Sequence, residues 1–187
     1  VRTLLGRFLD HGAVVAGWVG AGMAAAIVVS FVLVIPVGDI APALFALPGG
    51  LLIGYYANQR SERWGGPWVR LMVNGLYAAL VTGLVTALLL LAVKAVFFTF
   101  DDGYPVVRAG SGSDCQVGAD CVYRRYLAAG EGPELARQGV VDAASFSRFY
   151  WSEQAGTATT ILVLTVAGGL GGAVAFGLAG GRRPPAG

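Results

Sequence analysis

Four stretches of this chain, 12–35, 40–57, 71–93 and 157–178, contain no Asp, Glu, Lys or Arg, and together they make up close to half of its 187 residues. A lipid-crossing helix needs about 20 such residues, because only a helix satisfies all of its backbone donors and acceptors within one segment. Three of the stretches meet that length, and the second falls just short. Charged residues make up 13% of the chain, against about 25% in a soluble domain. The pattern excludes a soluble globular domain, a disordered tail, a nucleic-acid-binding module and a disulfide-stapled secreted mini-protein. It predicts an all-α membrane protein, a bundle of four transmembrane helices.

The second stretch contains Pro42 and Pro48. Proline fits the first turn of a helix but kinks an interior, so 40–57 is read as a span kinked near Pro48, with a re-entrant segment as the alternative. Charge favours the full crossing. It places the basic loop 58–70, with Arg60, Arg63 and Arg70, on the same side as Arg2, Arg7, Arg182 and Arg183. That side then carries 7 basic and 2 acidic residues, the other 6 basic and 9 acidic. Short basic loops stay cytoplasmic during insertion, so both termini, including the tail 179–187, are expected on the cytoplasmic side of the cell membrane. Segment 1–11 sets Leu4, Leu5, Phe8 and Leu9 against Arg2, Arg7 and Asp10, as an interfacial helix would. The apolar run after it is too long for a signal-peptide core, which predicts a retained first span.

Segment 98–156 is the one sizeable polar stretch and is expected on the extracytoplasmic side, where thiols oxidise. It holds both cysteines, Cys115 and Cys121, and a structural disulfide between them is the preferred reading. A relay that passes electrons to quinone needs a second cysteine pair, and catalytic pairs commonly use Cys-x-x-Cys spacing. After the cysteines come Tyr123, Arg124, Arg125 and Tyr126, a turn over 130–133, and a helical pattern over 134–154 with a break near Gly139. Phe146, Phe149, Tyr150 and Trp151 precede the fourth span. They read as an interfacial aromatic belt, while Tyr123 to Tyr126 and Trp151 are candidate partner contacts. A short first outer loop and a long cysteine-bearing second one are similar in topology to tetraspanins. The Cys-Cys-Gly signature of those proteins is absent, and no family is assigned.

Small residues recur four apart in each span: Gly17 with Ala21, Gly20 with Ala24, Gly50 with Gly54, Gly75 with Ala79 and Gly83, and Gly168 with Gly172. Such spacing lets helix backbones approach closely in lipid, where hydrophobic drive between helices is small. Gly168, Gly169, Gly171 and Gly172 strip side chains from much of the fourth helix. That face is expected to pack within the bundle, or to seat another subunit, a bound lipid or a planar apolar ligand. Asn74 is placed to bond a neighbouring helix or the loop at Gly65 and Gly66.

Candidate chemistry is sparse. No ionisable residue lies inside the four stretches, as proton relays and ion-coupled transporters require. The lone histidine, His11, cannot by itself form a bis-histidine haem or multi-histidine zinc site. The loop acids lack the alternation of a calcium loop. Nucleophile-elbow, phosphate-loop and zinc-protease motifs are missing. No cofactor, metal, catalytic residue or nucleic-acid partner is predicted. The preferred function is a non-catalytic protein acting by association, as a scaffold or accessory subunit with other membrane subunits or itself as partner. The alternatives are a small oligomeric channel or carrier, and an enzyme acting on lipid or an extracytoplasmic substrate. Richness in Gly, Ala, Val, Leu and Arg, with one Lys, fits a GC-rich prokaryotic genome.

Overall fold

A computed structural model describes residues 9–34, 41–61, 67–100 and 118–180. Of these residues 90% are helical and none is in a strand. The helices are α1 (His11–Val34), α2 (Ala41–Gln59), α3 (Trp68–Phe100), α4 (Ala119–Ala128), α5 (Gly132–Arg137) and α6 (Ala143–Gly180). Three of them, α1, α3 and α6, are long and apolar enough to cross a membrane. Helix α2 has 19 residues and carries Pro48 in its interior. The N-terminal residues 1–8, Arg63, Cys115, Arg182 and Arg183 lie outside the described residues.

Two of the helices extend well beyond the charge-free windows. Helix α3 has 33 residues and α6 has 38, or about 50 and 57 Å at 1.5 Å per residue. The helical pattern expected before Gln154 and the charge-free stretch 157–178 belong to one continuous helix, α6. Loss of charge marks the apolar part of a helix rather than its ends, and no proline lies between Ala143 and Thr157. Arg148 and Glu153 are simply part of α6.

The chain divides into two compact units, residues 1–89 with 158–187, and residues 90–157. In the first unit the usual size rule is inverted. Its buried apolar residues are mainly small: Ala13, Ala16, Ala57, Ala78, Ala79 and Ala173 are each 0% exposed, joined by Ile53 and Ile161. The large ones turn outward, with Trp18 76%, Leu44 68% and Leu178 66% exposed. Such an arrangement would be unstable in water, because apolar surface is left out and little is buried. It suits lipid, where small side chains bring backbones together and large ones meet acyl chains.

The second unit is organised like a water-soluble core. Leu135, Val140 and Phe146 are buried together, with Phe98, Val122, Tyr123, Phe149 and Tyr150 packed against them. Its short helices both end in glycine. Gly130 (φ +88°) follows α4 and Gly139 (φ +75°) follows α5, a left-handed conformation that only glycine adopts readily. Each stop has the paired bonds of a Schellman motif. Gly130 and Glu131 donate to the carbonyls of Leu127 and Tyr126, and Gly139 and Val140 to those of Ala136 and Leu135. The second stop also delivers Leu135 and Val140 to the same buried cluster. Residues 134–154 are thus two helices divided at Gly139.

Candidate functional site

Within the first unit, the described polar groups gather where α1 and α3 begin and α2 ends. Asp10 stands at the N-cap position of α1, its carbonyl accepting from the Ala13 amide at 3.0 Å. Its carboxylate takes three partners from two other segments. Ser61, just past α2, donates its hydroxyl to Oδ2, and Asn74 of α3 donates Nδ2 to the same oxygen at 3.3 Å. Arg70, in the first turn of α3, pairs with Oδ1 at 3.7 Å. The Asp10 amide in turn donates to Asn74 Oδ1 at 3.2 Å. A carboxylate beside a helix N-terminus also meets the positive end of its dipole.

Asn58 completes this end of the bundle. Its Nδ2 donates to Gly54 O at 3.0 Å and to Leu71 O at 3.1 Å, tying the last turn of α2 to the first turn of α3. Asn58, Asn74 and Ser61 are buried at 1%, 0% and 4% exposure. Arg60, on the exposed side of α2, donates Nε to Tyr56 OH at 3.1 Å and lies over the Tyr56 ring. Gly12 fits against the backbone of Arg60 and Ser61, where a Cβ would stand 2.5 Å from the Arg60 carbonyl carbon. Asn74 therefore bonds Asp10 at the head of α1, a partner more specific than the neighbouring helix or glycine loop expected from the sequence. Asp10 was not legible as its partner, nor were Ser61 and Arg70 as further partners of Asp10, because their convergence depends on how α1, α2 and α3 assemble.

The predicted packing glycines lie along one seam. A Cβ on Gly50 would collide with Thr165 O, and one on Gly54 with Gly169 O. From the facing helix, a Cβ on Gly168 would collide with Leu47 O and one on Gly172 with Leu51 O. Gly75 of α3 meets the same strip, its Cβ position 2.8 Å from Gly169 O and 2.9 Å from Ala173 Cβ. Gly83 meets Leu162 Cδ1 at 3.0 Å. These glycines bring α6 against α2 and α3 backbone to backbone. The space beside Gly168, Gly169 and Gly172 is filled by those helices. Only Gly171 of the four faces open surroundings. Gly169 belongs to the same packing and fits against Ala79 of α3, while Gly20 of α1 fits against Thr82 of α3.

Hydroxyls along the spans bond to their own helices. Thr82 donates to Ala78 O, Thr86 to Thr82 O, and Thr165 to Ile161 O, at 2.7–2.8 Å. These bonds satisfy the hydroxyls locally, as threonine in a helix commonly does.

In the second unit the candidate contact residues separate. Arg125 is buried at 7% exposure beside the 1% exposed Cys121, so it is removed from the expected partner surface. Tyr123 packs its ring 5.4 Å from Phe146. Trp151 packs edge-on to Phe98 at 5.5 Å and to Tyr150 at 5.4 Å. Phe98 also stacks on Tyr150 at 4.7 Å. Trp151 thus forms part of an aromatic cluster joining the end of α3 to the early turns of α6. Arg124 remains exposed and pairs with Asp120 at 2.8 Å, and Tyr126 is 39% exposed with its ring against Phe146.

The start of α6 is capped reciprocally. Asp142 Oδ1 accepts from the Ser145 amide at 2.7 Å, and Ser145 Oγ accepts from the Asp142 amide at 3.0 Å. Hydrogen bonds from the Ser145 side chain and amide hold the Asp142 carboxyl below the usual carboxylate range.

Among the described residues no group of three or more His, Cys, Asp or Glu converges as a metal site. Comparison with known protein families, curated proteins and solved structures finds no match to this chain.

Proposed function

We propose that this chain is a four-span integral membrane protein that acts without catalysis, by association, as a scaffold or accessory subunit of a larger membrane assembly. In this reading α1, α2, α3 and the apolar part of α6 cross the bilayer with both termini cytoplasmic. Residues 98–156 form an extracytoplasmic segment closed by a disulfide between Cys115 and Cys121. The observation that carries the reading is the inverted first unit, with its Gly and Ala interior and large apolar exterior. Support also comes from how its polar groups are used. Asn58, Asn74, Thr82, Thr86 and Thr165 hold helices or their own turns.

The test is extraction from the native membrane in mild detergent, followed by native sizing and mass spectrometry of everything that co-migrates. A defined assembly with other proteins at fixed stoichiometry supports the proposal, and a lone monomer overturns it. A homogeneous self-oligomer that conducts ions or solutes in liposomes replaces it with a channel or carrier. Reporter fusions after Gln59 and within 101–117 check the orientation: the first must report cytoplasm and the second the opposite side. Thiol labelling before and after reduction checks the disulfide, since paired cysteines react only once reduced.

A further inference from the structure

We draw no further inference here: the strongest candidate, the outward ridge of small residues Ala167, Gly171, Ala175 and Ala179 on α6, is an unpartnered apolar face, and nothing in the structure shows what covers it.

Discussion

Asn74 grips Asp10 at two points, accepting from its backbone amide at 3.2 Å and donating to its carboxylate at 3.3 Å, across 64 residues of sequence. The pair fixes the start of α3 beside the start of α1, and Arg70 and Ser61 hold the same carboxylate. Because Asn74 is fully buried, replacing it with leucine leaves two groups of Asp10 without this partner. Asn74→Leu is expected to destabilise the detergent-solubilised protein by about 1–3 kcal/mol. A double-mutant cycle with Asp10→Ala should give a coupling of about 0.5–3 kcal/mol. Strict additivity in reversible unfolding would remove the two-point contact from the account.

Glycine substitutions should separate by what each Cβ meets. Gly54→Ala and Gly172→Ala drive a methyl group into the backbone of the facing helix, and overpacking of this kind costs about 1–3 kcal/mol. Gly171→Ala meets nothing within 4 Å and gains helix propensity of about 0.5–1 kcal/mol. Thermal unfolding in one detergent should therefore place the first two variants below wild type and the third at or above it. An equal shift for all three would refute the seam.

Phe146 is 0% exposed at the centre of the second unit, with Tyr123, Tyr126 and Tyr150 around its ring. Phe146→Ala should cost about 3–5 kcal/mol, borne by this unit. Amide hydrogen exchange should rise across 119–137 while the Gly50 to Gly54 region keeps its protection. Exchange that stays unchanged in α4 and α5 would mean that they do not depend on this ring.

Gly139→Ala forces a side chain into the left-handed region at the α5 stop, so it should destabilise the unit by about 1 kcal/mol. Gly156→Ala serves as the control, since it lies within α6 with nothing within 4 Å of its Cβ position. Equal stability of the two variants would contradict the positive φ at Gly139.

The Asp142 cap carries a sign in its pH dependence. Its carboxyl titrates below the ordinary aspartate range because Ser145 bonds the charged form. The cap therefore contributes fully above the unfolded-state value and is lost as pH falls through the lower folded one. Exchange of the first-turn amides of α6 should rise on acidification through that window. Asp142→Ala should raise exchange already at neutral pH and flatten the acid response. A variant that keeps the wild-type acid response assigns it to another group.

The apolar helices were readable from charge alone because lipid excludes charge whatever the surrounding fold. The stop at Gly139 was readable because few residues other than glycine end a helix in that way. The extents of α3 and α6 were hidden for a related reason. The pattern over 134–154 and the charge-free stretch 157–178 read as separate segments, and nothing local says that one helix runs through both. The fates of Tyr123, Arg124, Arg125 and Tyr126 required the position of Phe146, a long-range fact. The four residues alternate too little to reveal which side of α4 is covered.

Gly169 stands where three helices meet, its carbonyl against Gly54 of α2 and Gly75 of α3 and its Cα toward Ala79. Glycine at this junction therefore sets how closely α6 can approach α2 and α3, since a side chain at Gly54, Gly75 or Gly169 would meet the main chain or Ala79 of a facing helix.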